Sequence, residues 1–134
     1  ENLQLTGAYK DRMKFRLAET YLLLSEAYLR QDMPDKAADA VNEVRRRAKV
    51  SDVSDEEMTM DFLLDERIRE LYGEESRRFT LIRTGKLLER VRKYNPEARD
   101  LIQDFHVLWP IPQAIRDANV GNFPQNPGYE GYEG

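Results

Sequence analysis

The sequence has no cysteine. That excludes disulfides, cysteine-based zinc sites and thiol nucleophiles, but it does not locate the protein, because many exported domains also lack disulfides. There is one histidine, His106, and a lone imidazole without thiols is a poor basis for a metal centre. Basic excess is missing too. The 21 Lys and Arg are set against 25 Asp and Glu, for a net charge of -4 with both signs dispersed along the chain. The electrostatic footprint that phosphate backbones select is therefore absent, and nucleic acid is not an expected partner. No apolar run approaches the roughly 18 to 20 residues needed to span a bilayer. The opening residues ENLQLTGAYKDR lack the charged and apolar regions of a signal peptide. A processed or truncated product would read the same way.

What is present is helical periodicity. In 134 residues, enough for one domain with a moderate core, Leu17, Ala18, Tyr21, Leu22, Ser25, Tyr28 and Leu29 fall on one helix face. Leu23, Leu24 and Ala27 widen that stripe and predict burial on two sides. A second helix is predicted from about Asp32, as its cap, with Pro34 in the first turn and Ala37, Val41, Val44 and Ala48 as its apolar face. Ser54 and Glu57 have capping-box spacing and predict a third helix through Met60, Leu63, Leu64, Ile68 and Leu71, ending at Gly73. A fourth stretch, from Glu75 to Tyr94, should break at Gly85. Asn95-Pro96 should then start a short helix to about Gln103.

Beyond Asp104 the character changes. Phe105, Val107, Trp109 and Ile111 alternate, but Pro110 and Pro112 rule out a central strand, so an extended segment over the helices is expected. The end, PQNPGYEGYEG, is a turn-rich tail. The expected fold is all-α: tetratricopeptide-like helical pairs with an extended, Pro-rich carboxy-terminal segment. The tetratricopeptide-like pair would cover 15–48, further helices 54–103, and the extended segment and tail 104–134, all in one domain. Tyr21, Leu24, Ser25, Tyr28, Ala37, Val41 and Val44 sit at tetratricopeptide offsets, with Ser25 and Ala37 small enough for close helix approach. One such unit cannot bury both its faces.

Several residues invite a chemical reading. Glu66 and Glu70 are i, i+4 neighbours, about 5 to 6 Å apart at Cβ, which on distance alone suits a retaining glycosidase pair. They lie in the run DERIRE, where neighbouring guanidiniums would keep both ionised, the opposite of what a general acid needs. His106 reads as a packing or surface residue. Thr84-Gly85-Lys86 resembles the end of a phosphate loop, but Thr80 stands where its first glycine belongs and the stretch is helical. No serine has the glycine flanks of a nucleophile elbow. Trp109, Tyr129 and Tyr132 are nominees for a sugar platform. Trp109, between Leu108 and Pro110, also reads as a residue that packs onto the helices.

FRLAETYLLLSEAYLRQ followed by AADAVNEVRRRA resembles the tetratricopeptide-like helices of the SusD/RagB family. LLDERIRELYGEESRRFTLIRTGKL resembles that family's signature, and LWPIPQAIRDANVGNFPQNPGY its carboxy terminus. In the signature, Glu66, Arg67 and Glu70 are expected to meet Arg77, Arg78 and Arg83, with Phe79 and Ile82 buried beside them, as scaffold rather than binding site. The resemblance implies the carboxy-terminal region of a longer, non-catalytic glycan-capture lipoprotein on the outer-membrane surface. Its partners would be a SusC-like TonB-dependent transporter and an oligosaccharide, sometimes a peptide. Membrane contact would run only through a lipid anchor that this chain does not carry. The family's glycan contacts come largely from upstream segments, so no ligand-binding residue carries over and no cofactor is implied. The alternative is a free-standing tetratricopeptide-like adaptor that captures a partner's peptide between helices.

Overall fold

The structure is a computed structural model that describes residues 15–121 and 123–132. Regular structure among these residues is helical, with no strand. The fold is all-α, as the periodicity predicts. The chain divides into two compact units between Glu75 and Ser76.

In the first unit, α1 (Leu17–Leu29) packs against α2 (Pro34–Arg47) and α3 (Met60–Glu70). Ser25 and Ala37 have no exposed surface, and the Ser25 hydroxyl donates to the Ala37 carbonyl at 2.9 Å. Around this contact Ala18, Leu22, Val41, Val44, Val53, Met58, Leu63 and Leu71 form the core. Each fully buried Val, Leu or Met side chain contributes about 1.5 to 3 kcal/mol. Burial of α1 on two sides is not what the structure shows. Leu17, Leu23 and Leu24 are exposed, leaving one apolar side of the helix uncovered among the described residues.

Three helices end in the same way. At the end of α1, Met33 N–H reaches the Tyr28 carbonyl (3.0 Å) and Asp32 N–H the Leu29 carbonyl (3.2 Å), with Asp32 at φ +56. At the end of α2, Val50 N–H reaches Arg45 and Lys49 N–H reaches Arg46, both at 3.0 Å, with Lys49 at φ +58. These are Schellman closures that satisfy the last carbonyls of each helix. Asp32 therefore terminates α1 rather than capping α2, whose start at Met33 has no side-chain cap. The Ser54–Glu57 capping box does form: the Glu57 carboxylate accepts from the Ser54 amide (3.2 Å) and hydroxyl (3.1 Å). It closes only a turn. Thr59 lies in extended backbone and its hydroxyl accepts from Phe62 N–H at 3.2 Å, so α3 starts there instead. Beyond its end, Gly73, the expected terminator, takes φ +77 within the turn that Glu74 N–H closes on the Leu71 carbonyl at 3.0 Å.

The second unit begins with α4 (Arg77–Arg83) and α5 (Leu87–Tyr94). Gly85, at φ +71, is the expected break. Lys86 N–H bonds the Leu81 carbonyl (2.8 Å) and Gly85 N–H that of Ile82 (3.0 Å), a third Schellman closure. Phe79 is exposed, contrary to its expected burial; Thr80 and Leu81 are the covered residues of α4. Asn95 caps as predicted, its Oδ1 accepting from the amides of Glu97 and Ala98 at 3.1 Å each. Residues 96–101 then form a series of turns, not a helix to Gln103.

The alternation from Phe105 does not produce extended backbone at its start. Asp104–Val107 is a 3-10 helix, because Gln103 and His106 cap each other: Gln103 N–H donates to His106 Nδ1 at 2.8 Å. Leu108 is extended and 109–112 form neither helix nor strand; a short α6 (Gln113–Asp117) that the sequence pattern does not predict follows. Pro110 and Pro112 leave Ile111 with the one amide between them, and the chain's own tail satisfies it. Gln125 Oε1 accepts from Ile111 N–H (2.7 Å) while Gln125 Nε2 donates to the Ile111 carbonyl (2.9 Å). Asn126 Nδ2 donates to the Trp109 carbonyl (2.7 Å) and the Tyr129 hydroxyl to that of Leu108 (2.9 Å). Gly128, at φ +85, passes so close to Phe105 that a Cβ would lie 2.2 Å from the ring. The QNPGY segment is a clamp on LWPIP.

Candidate functional site

Glu66 and Glu70 of α3 each carry two arginines. Glu66, buried, takes Arg45 (2.7 Å) and Arg69 (2.8 Å). Glu70 takes Arg16 and Arg47. Arg67, 1% exposed, pairs with Glu75 at 2.5 Å and lies 3.8 Å from Glu19. Arg16 is held protonated more firmly than a free guanidinium, by its hydrogen bonds to Glu74 and then to Glu70. A carboxylate held by two guanidiniums is engaged as an ion-pair acceptor rather than placed against a substrate. Glu66 and Glu70 therefore form ion-pair scaffold, not a glycosidase pair.

Thr84-Gly85-Lys86 is the closure of α4, and Lys86 Nζ lies 2.8 Å from the Glu89 carboxylate. His106 packs its ring on Phe105 (centroids 4.2 Å apart), and its Nδ1 is occupied. No group of His, Asp and Glu among the described residues could hold a metal ion. Of the aromatic nominees, Tyr129 is spent on structure: its hydroxyl is bonded and its edge meets Phe105 at 4.9 Å. Tyr132 is about half exposed. Trp109 is 57% exposed rather than packed away, and one face of its indole is stacked on the Arg78 guanidinium at 4.5 Å.

Sequence reasoning missed two concave surfaces. Along the first helix pair run two adjoining hollows of about 260 Å³ each, sharing Tyr21 and Glu43 and walled by Leu17, Leu24 and Tyr28 of α1. The i, i+4, i+7, i+11 spacing of Leu17, Tyr21, Leu24 and Tyr28 was the available signal. In the second unit a cleft of about 320 Å³ is lined by Val91, Ala98, Leu101 and Ile102 with Arg78, Asn95 and His106. No local pattern announces it, because its walls come from α4, α5, the Asn95 turn and the 3-10 helix.

The model of the SusD family matches residues 2–129. The chain belongs to the SusD family. It is 35% identical over 113 residues to SusD-like protein P25 of Formosa agariphila, an alignment covering 76% of this chain and 21% of that protein. It is 34% identical over 125 residues to the starch-binding protein SusD of Bacteroides thetaiotaomicron, covering 87% and 21%. Among solved structures, a laminarin binding SusD-like protein superposes with a TM-score of 0.64 at 29% identity, covering 86% of this chain and 22% of that one. The chain thus spans about a fifth of the length of the curated SusD relatives it matches. One of these proteins is named for binding starch and another for binding laminarin. No helix among the described residues is long and apolar enough to cross a membrane.

Proposed function

We propose that this chain is the helical, carboxy-terminal portion of a non-catalytic glycan-capture protein on the outer-membrane surface, working with a SusC-like TonB-dependent transporter. The observation that carries this reading is the family match over nearly the whole chain, beside relatives named for binding starch and laminarin. The ion-paired state of Glu66 and Glu70 supports a binding rather than a hydrolytic role. In this reading the arginine–carboxylate pairs and the small-residue contact of Ser25 with Ala37 hold shape, and capture is largely the work of surfaces outside this chain.

The test is to produce the longer protein to which the chain belongs, measure its binding to malto- and laminari-oligosaccharides, and purify it from membranes with whatever it holds. Glycan binding together with an outer-membrane transporter in the purified complex is the expected outcome. A parent that binds no glycan and brings down no transporter would refute the reading. The hollows along α1 favour one alternative, a tetratricopeptide-like adaptor that takes a partner's peptide. Saturable capture of amphipathic peptides by a parent indifferent to glycans would select it.

A further inference from the structure

Arg78 is paired differently from the acid-bound arginines of the first unit. Its partners are the His106 carbonyl, at 2.5 Å, and the Trp109 ring. No carboxylate meets it among the described residues, and its Nε is buried with no hydrogen-bond partner. Arginines 16, 30, 45, 46, 47, 67 and 69 all have an acid. A half-buried cation without a counter-charge is costly unless something supplies one. Arg78 also lines the cleft with His106. Because His106 Nδ1 accepts from Gln103 N–H, the proton of its neutral ring is on Nε2, a second donor. Among the described residues no acid lines this cleft, and Val91, Ala98, Leu101 and Ile102 supply apolar wall. Its volume, about 320 Å³, is in the range of small-ligand sites.

We propose that this cleft binds a uronate, a pyranose bearing a carboxylate, with the carboxylate on Arg78 and the C–H face of the sugar against the aliphatic wall. A charge-assisted contact to a guanidinium whose position is already fixed by the His106 carbonyl and the Trp109 ring is both directional and preorganised. The proposal rests on the glycan-capture reading and adds to it a sugar class and a location.

The experiment titrates the chain with oligoglucuronate of three to four residues, with a neutral gluco-oligosaccharide of equal length, and with an acidic hexapeptide, by calorimetry at low and at physiological salt. Saturable uronate binding at least tenfold tighter than neutral sugar, and weaker at higher salt, is expected. Arg78→Gln should abolish it. Because Arg78 also braces Trp109, a second variant is needed: Leu101→Glu, at a residue 71% exposed, places a competing carboxylate at the cleft without touching the core. It should lower uronate affinity at least tenfold while leaving the thermal transition unchanged. Equal affinity for neutral sugar, or uronate binding indifferent to both variants, would overturn the site and leave glycan capture standing. Tighter binding of the peptide would overturn the sugar assignment. Absence of any uronate binding would overturn the proposal outright, whereas glycan capture itself is judged on the parent protein.

Discussion

Gln125 closes both backbone hydrogen bonds of Ile111, and Asn42 does the same for Val53, donating to its carbonyl at 3.0 Å and accepting from its amide at 2.8 Å. In each unit a buried carboxamide substitutes for a neighbouring strand. At Ile111 the need arises from the flanking prolines, which cannot share an amide. At Val53 it arises because the chain leaving α2 buries an apolar side chain before α3 begins. A buried peptide group without a partner costs as much as a lost hydrogen bond, so these two side chains let irregular backbone enter a core.

Replacing either carboxamide by its acid tests this directly. Gln125→Glu and Asn42→Asp keep the oxygen that accepts from the amide but set a second oxygen against a carbonyl. Each should destabilise by about 2 to 4 kcal/mol, more than one neutral hydrogen bond contributes, because a buried donor is lost and a charge gained. Urea unfolding, with hydrogen exchange at Ile111 or Val53, measures the loss. A change below about 0.5 kcal/mol, within the range of ordinary surface substitutions, would mean that the carboxamides are bystanders.

Glu66 offers a second test. Its carboxylate, 9% exposed, carries both Arg45 and Arg69. Glu66→Ala leaves the partly buried Arg45 without its acid and should cost about 2 to 4 kcal/mol. The exposed pair of Glu43 with Arg46 is the internal control, and Glu43→Ala should leave stability unchanged. Equal effects at the two positions would show that burial does not set the strength of these pairs.

The helices and the break at Gly85 are legible in the sequence because they follow from local rules: apolar spacing, and a glycine where the backbone must turn left-handed. The misreadings have physical causes. Asp32 has the chemistry of a cap for α2, but α1 ends only three residues earlier, and the closure of α1 uses that residue first. Ser54 and Glu57 form their box without nucleating a helix, because Thr59 caps again five residues on. Alternation from Phe105 to Ile111 yields to a mutual cap of Gln103 and His106 that no period reveals. The candidate site was least legible. Whether an arginine has an acid depends on contacts 21, 23 and 54 positions apart, as at Glu66 with Arg45 and at Glu70 with Arg47 and Arg16. Arg78, inside a run of arginines and acids, looks like its neighbours until those contacts are assigned.

Lys49 provides a stabilising prediction. It terminates α2 at φ +58, a conformation in which its Cβ meets the following carbonyl oxygen. Lys49→Gly removes that clash at the position where helices prefer glycine, and should stabilise by about 0.5 to 1 kcal/mol despite the added freedom of the unfolded chain. Asp32→Gly should gain less, because a short polar side chain tolerates the same backbone better. Gly85→Ala should go the other way. The order of the three in thermal unfolding is the readout, and a loss of stability at Lys49→Gly would contradict a left-handed closure of α2.

His106 yields a spectroscopic prediction that does not depend on stability. With Gln103 N–H donating to Nδ1 at 2.8 Å, the neutral ring must carry its proton on Nε2. Long-range proton–nitrogen correlation spectra at neutral pH should show Nδ1 as the unprotonated, pyridine-like nitrogen. Since this is the only histidine in the sequence, the signal needs no assignment by mutagenesis. A proton found on Nδ1 of the neutral ring would remove the reciprocal cap. The Nε2 donor invoked at the cleft would go with it.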